Sequence, residues 1–185
     1  MSRQPVTQAF ITDEPEINSK ATDYQRKEDE PSSENVQASD PNVLIPCAAT
    51  ASIFLYAQGT SIVCCHHDTL AIERIFSNHA DEVILLAVDN HSKLGSGRHA
   101  VSYDAGQVAI VWDLLTGDEI ARFVSYEPLT AAVWMGNGNA AFGNTKGSII
   151  LFEPITSEHV SIRTIDQIKV TALAPLADCQ TFAIG

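Results

Sequence analysis

No uninterrupted apolar run in this sequence approaches the roughly 20 residues needed to span a bilayer. The stretch from Pro41 to His67 lacks charge, but Pro46, Gln58, Gly59 and several Ser and Thr residues break it. Two buried strands joined by a turn fit that stretch better, and a soluble chain is expected. Positive charge is also scarce: 11 Lys and Arg stand against 23 Asp and Glu, a formal net charge of −12. Neutralising phosphate needs clustered Lys and Arg, so nucleic acid is disfavoured as a partner, and anionic membrane surfaces for the same reason. A basic or polar protein partner stays open. Cys47, Cys64, Cys65 and Cys179 form no CxxC pair, and the opening MSRQPVTQAF lacks the apolar stretch of a secretory signal. Reduced, mostly buried thiols in the cytosol or nucleus follow. A vicinal Cys64–Cys65 disulfide would distort ordinary bridge geometry. Finally, no segment of ten or more residues carries an i, i+3, i+4 apolar stripe, which argues against helices.

What is present divides at about residue 42. Residues 1–42 hold nine acidic and four basic residues, with repeated Pro and Ser and little apolar clustering. Such a segment cannot bury enough surface to offset its ordering entropy, and an acidic disordered tail is predicted there. Within it, Val6, Ala9, Phe10 and Ile11 are either a short docking motif or incidental apolar residues on a solvated tail.

Beyond Asn42 the texture changes to short β-branched and aromatic runs separated by turns. VLIPCA (43–48), SIFLYA (52–57), SIVCCH (61–66) and AIERIF (71–76) read as one set of four strands. VILLAV (83–88), HAVSY (99–103), VAIVWD (108–113) and EIARFV (119–124) make a second. LTAAVW (129–134), AAFG (140–143), SIILFE (148–153) and VSIRTI (160–165) make a third, and a fourth begins with VTALAP (170–175) and TFAIG (181–185). Arg74, Arg122 and Arg163 fall in the last strand of their sets, 48 and then 41 residues apart. A four-strand unit of about 40–50 residues is what one propeller blade requires, because a single sheet cannot cover both of its faces and must stack on a neighbour.

At VAIVWDLLTGDEIARF (108–123) the chain resembles the WD-repeat family, whose third strand ends in Trp-Asp and turns into the fourth. Trp112-Asp113 matches the signature dipeptide and Thr116-Gly117 the turn. Phe152-Glu153 keeps the same place in the third set. Asn78-His79 is similar to the family's Gly-His pair, with Asn for Gly. The resemblance covers roughly 43–185, with the dipeptide in one unit only. It implies an all-β partial propeller of three four-stranded blades plus half a fourth, at about 43–77, 78–125, 126–166 and 167–185. It also implies a hydrogen-bonded network of His79, Ser102, Asp104 and Trp112. Asp104 lies eight residues before Trp112, two more than usual, so a bulge or shifted turn at Ala105-Gly106-Gln107 has to absorb the difference. In the third set Lys146 takes the Asp place, so no network is expected there. An open arc leaves blade faces and strand edges uncovered. Three accounts stand: a piece of a longer propeller, completion by a second chain, or a self-sufficient partial ring.

Chemical motifs are thin. Cys64-Cys65-His66-His67 has the letters of a zinc site, but strand alternation sends Cys64 and His66 to one face and Cys65 and His67 to the other. Two ligands at most converge where structural zinc takes four, so no metal is expected. Gly143-Asn144-Thr145-Lys146-Gly147-Ser148 places Lys before the last Gly and leads into a strand, not the helix a phosphate loop needs, so no cofactor is expected. Asp81-Glu82 and Asp118-Glu119 sit where strands begin and read as solvated. No G-x-S-x-G elbow is present, and Asn90-His91-Ser92 matters as a glycan acceptor only in the secretory pathway. The resemblance therefore implies a protein-interaction scaffold and not an enzyme, its contacts drawn from 89–98, 135–139 and the linker 125–128 with Tyr126. The alternative is a domain of a propeller-containing enzyme whose catalytic part lies elsewhere. A β-sandwich is disfavoured by the regular four-strand repetition and the lack of a Cys…Trp…Cys framework.

Overall fold

A computed structural model describes residues 44–93, 95–176 and 181–185, all within the unit Asp40–Gly185. The predicted acidic tail, its apolar residues 6–11 and Cys179 lie outside the described residues. Among those described there is no helix.

Among the described residues, fourteen strands form four antiparallel sheets, each ordered as in the sequence. The first holds β1 (Cys47–Ala49), β2 (Ile53–Gln58), β3 (Ser61–His66) and β4 (Ile72–Phe76). The second holds β5 (Val83–Val88), β6 (His99–Asp104), β7 (Val108–Asp113) and β8 (Glu119–Val124). The third holds β9 (Leu129–Trp134), β10 (Ala140–Asn144), β11 (Ser148–Glu153) and β12 (Glu158–Arg163). A two-stranded sheet of β13 (Leu173–Pro175) and β14 (Phe182–Ile184) follows. The leading strands pack in succession, β1 on β5, β5 on β9 and β9 on β13. Sheets therefore radiate from a common inner line, and the fold is a partial β-propeller.

Burial explains the sequence texture. Middle strands are sandwiched between neighbouring sheets, so β7 reads VAIVWD and is buried on both faces from Ala109 onward. Outer strands cover one side only, and β8 alternates, with Ala121 and Phe123 inward and Ile120, Arg122 and Val124 outward. One core between the first two sheets gathers Leu55, Ile62, Cys64 and Phe76 against Ile110, Trp112 and Leu114. The next gathers Val101, Tyr103, Val111 and Phe123 against Trp134, Phe142, Ile150 and Phe152. Each such large side chain contributes roughly 1.5–3 kcal/mol on burial. Polar bonds also cross between sheets: Trp134 Nε1 donates to the Ala87 carbonyl at 3.2 Å, and Asn90 Nδ2 to that of Ala49 at 3.0 Å.

Several expectations need correction. The first strand is not VLIPCA (43–48) but Cys47–Ala49, because Pro46 has no N–H to give a ladder; Leu44 and Ile45 lie outside it and are exposed. Pro41–His67 thus holds three strands, not two. Arg74, Arg122 and Arg163 are not equivalent: they pair across from Cys64, Ile110 and Ser148, the fourth, third and first residues of their neighbouring strands. Outer-strand arginines reach solvent, so packing does not fix their register. His66 and His67 do not point apart. β3 ends at His66, alternation stops applying, and the two rings stack with centroids 5.8 Å apart.

Candidate functional site

The four residues singled out in the second sheet meet in its buried interior. His79, in the connection before β5, places Nδ1 2.8 Å from Asp104 Oδ2 and Nε2 2.6 Å from Ser102 Oγ. Trp112 Nε1 donates to the same Ser102 Oγ at 2.7 Å. A proton on His79 Nδ1 satisfies all of them: indole N–H to hydroxyl, hydroxyl to Nε2, and Nδ1–H to carboxylate. The other carboxylate oxygen of Asp104 accepts the Val108 N–H at 2.9 Å. The extra residues before Trp112 are taken up in the turn, not by a bulge: Ala105-Gly106-Gln107 closes a hairpin with Gln107 at φ 69°, while the β6–β7 register stays unbroken. These residues tie a connection to two strands; none faces a cleft.

The third sheet reveals a second correction. Register places Asn144, not Lys146, at the position of Asp104, since Gly143 pairs with Ile149 as Tyr103 does with Ala109. Asn144 Oδ1 accepts from Lys146 N at 3.0 Å and Ser148 N at 2.8 Å, repeating the turn-closing half of the arrangement. Where the second sheet has Ser102 and Trp112, the third has Phe142 and Phe152, which make the polar half unnecessary. Ser125, four residues before β9 as His79 is before β5, shares a hydrogen bond with the Tyr103 hydroxyl at 3.0 Å.

The signature Asp113 does different work. It accepts from Leu115 N at 2.9 Å and Thr116 N at 3.2 Å, holding the turn, and from Arg98 Nε at 2.8 Å. The Arg98 hydrogen bond, aided by those two backbone donors, pulls its carboxyl down to about 2 against the opposing effect of burial. Glu119 is likewise held low, chiefly by Arg122 and further by Asn78, so it is a paired carboxylate and not simply solvated. The sequence marks Arg122 only as a recurring last-strand residue and Arg98 only as the end of segment 89–98; the fold brings them beside Glu119 and Asp113. Cys47, Cys64 and Cys65 are free thiols, and burial, then Glu73, pushes Cys64 up to about 11. Among the described residues no group of three or more His, Cys, Asp and Glu is placed to hold a metal.

Because strand directions alternate, the turns β1–β2, β3–β4 and their counterparts share one end of the arc. There the segment 89–98 and the turn 135–139 come together around a cleft of about 570 Å³. Its walls include Ile120, Pro154 and Ile155, with Lys93, Asn137, Asn139 and Glu153 at the polar positions. One side is the His99 ring, which packs on Trp134 at 6.1 Å. Behind it the loop is braced by buried Asp89, which accepts His91 N and Ser92 N at 2.9 Å each and also the Ser92 hydroxyl. The linker 125–128 is not part of this cleft. It lies at the opposite end, where Ser125, Tyr126 and Glu127 border a smaller hollow of about 270 Å³ with His159 and Arg163. Tyr126 is 95% exposed there.

Fold and site together define a β-propeller arc with a cleft between blades. No protein-family model and no curated protein matches the sequence. The structure is similar to the WD40 β-propeller domain of Doa1, with a TM-score of 0.62 and 17% identity over 78% of this chain and 48% of that one. It is also similar to the computationally designed Ika4 protein, with a TM-score of 0.60 and 20% identity over 80% of this chain and 93% of that one. The chain thus spans about half of the Doa1 domain and nearly all of Ika4. At these identities the likeness concerns the fold alone.

Proposed function

We propose that this chain is a protein-recognition module of WD-repeat type, an arc of a larger propeller that binds other proteins through the turns at one end. The observation that carries this reading is the cleft of about 570 Å³ between the second and third sheets, where two of the three nominated segments meet. Propellers hold such turns on a stiff β framework, so a partner meets a preformed surface and loses little ordering energy. Ile120, Pro154 and Ile155 suit an inserted apolar side chain, and the Asn137 and Asn139 amides suit the peptide groups flanking it. With a net charge of −12 the chain favours a basic segment as ligand. The reading is of a binder and not a catalyst, at work in the cytosol or nucleus, in keeping with its reduced, buried Cys64 and Cys65.

The test is affinity capture with the full chain and mass spectrometry, repeated with Ile120→Asp and Ile155→Asp. Both side chains are exposed at the cleft, so folding should be kept. A shared set of proteins should bind the wild type and weaken roughly tenfold or more with each variant, as expected when a buried apolar anchor is removed. Capture indifferent to both substitutions would remove the cleft from the proposal, and turnover of a small molecule by the purified chain would replace it.

A further inference from the structure

Strand pairing fixes which way each side chain of β12 faces, because residues opposed across an antiparallel pair share one face of the sheet. Val160 and Ile162 oppose Leu151 and Ile149, which turn away from the second sheet. Ile162 holds the place that Phe76 and Phe123 hold on their outer strands, across from Ile62 and Ala109, but is half exposed. His159, Ser161 and Arg163 oppose Phe152, Ile150 and Ser148, so they face the second sheet. The His159 ring stacks on Phe123 of that sheet with centroids 5.9 Å apart. These three side chains wall the hollow of about 270 Å³ beside the linker 125–128. It lies between two sheets that each have all four strands.

The lining of this hollow holds donors that nothing accepts from. Asn144 is 3% exposed and Ser148 7%. Asn144 Oδ1 accepts the backbone N–H groups of Lys146 and Ser148. That fixes the amide and leaves Nδ2 a donor with no partner among the described residues. Ser148 Oγ, Ser161 Oγ and the Arg163 guanidinium have none there either. No fully enclosed side-chain nitrogen or oxygen among the described residues lacks a hydrogen bond. Asn144 Nδ2 and Ser148 Oγ therefore open onto the hollow they line. Among the described lining residues the one carboxylate, Glu127, is paired with Lys146. A space lined with free donors and one free guanidinium calls for a ligand rich in acceptors and negatively charged.

We infer that this hollow receives the phosphate monoester of a phosphorylated segment on a partner protein. Arg163, directly across from Ser148 in register, takes two phosphate oxygens with its planar fork, and Asn144 Nδ2 and Ser148 Oγ give to the third. A carboxylate has two oxygens and would leave part of this set unmatched. With a net charge of −12 the chain repels long polyanions, which favours a single phosphate on a neutral or basic segment over nucleic acid or a lipid surface. The hollow lies at the end of the arc opposite the cleft, and the two proposals can fail separately.

The test is an NMR titration of the full chain with a synthetic peptide carrying one phosphoserine among glycines and lysines, beside the same peptide unphosphorylated. The phosphorylated form should bind about tenfold or more tightly and shift the Asn144 side-chain amide, the Ser148 amide and the Arg163 Nε–H. Arg163→Ala should weaken it about tenfold or more, the worth of a charge-assisted fork, and Arg163→Lys should recover only part of that. Ser161→Ala, roughly threefold weaker, is a milder second variant should changes at Arg163 disturb folding. Equal binding of the two peptides, or binding indifferent to these substitutions, overturns the proposal. So does a glutamate peptide that binds as tightly as the phosphoserine one, which means a carboxylate site. Inorganic phosphate that matches the phosphopeptide overturns it as well, because the site then holds a small anion and not a protein segment.

Discussion

The Ser102 hydroxyl accepts an indole N–H at 2.7 Å and donates to a histidine nitrogen at 2.6 Å. At the scale of single residues this is where the fold is most exposed to error, because a buried polar atom that loses its partner keeps its full desolvation cost. His79→Ala removes at once the acceptor of the Ser102 hydroxyl proton and the donor to one oxygen of Asp104. It should lower unfolding free energy by about 3 kcal/mol, at roughly 1–3 kcal/mol for each orphaned group. Urea titration checks this, and a loss under 1 kcal/mol would mean that the network carries no stability. The same residues show what sequence could reveal. Trp-Asp and an upstream His are legible as letters, but Asn144 is not, since the register that equates it with Asp104 is a property of paired strands.

Turns set the character of the elements. Gly147 has φ +75°, and a Cβ there would sit 2.6 Å from the Ile168 carbonyl oxygen and 2.8 Å from Gln167 backbone atoms. Gly59 has φ +59° with nothing near its would-be Cβ. Left-handed backbone alone costs an L-residue roughly 1–2 kcal/mol. Gly59→Ala should therefore cost about that much, and Gly147→Ala clearly more, because rigid backbone must move as well. Paired thermal melts of the two variants measure the difference; equal losses would show that the Gln167–Ile168 segment yields freely. Third strands were legible almost to the residue, because a run such as SIILFE is apolar on both faces between Ser148 and Glu153, which mark its ends. First and outer strands were not: Pro46 shortens β1, and β12 begins at Glu158, two residues before the apolar run implied.

For the molecule as a whole, stability resides in the junctions between sheets. Phe123 touches Phe142 and Phe152 across one of them, so Phe123→Ala should cost about 3–5 kcal/mol, as large cavities do. Ile162→Ala at the equivalent but uncovered place should cost less than about 1 kcal/mol, because water already reaches it. Chemical denaturation of the pair decides the matter, and similar losses would mean that the third sheet's outer face is covered in solution. The cleft belongs to this scale too. Segments 89–98 and 135–139 lie 37 or more residues apart in sequence at their nearest equivalent ends, and they meet only because consecutive blades put corresponding turns at the same end.

The sequence by itself determined the all-β class, the four-strand repetition and the positions of most middle strands, because β-branched runs and turn residues act locally and repeat with the unit. Tertiary structure alone decided which arginines pair with which carboxylates, that Asn144 stands in for Asp104, and that Ile162 lies open where Phe76 and Phe123 are sealed. Those outcomes depend on cross-strand register and on which sheet lies against which face, and neither is encoded in any short stretch of the chain.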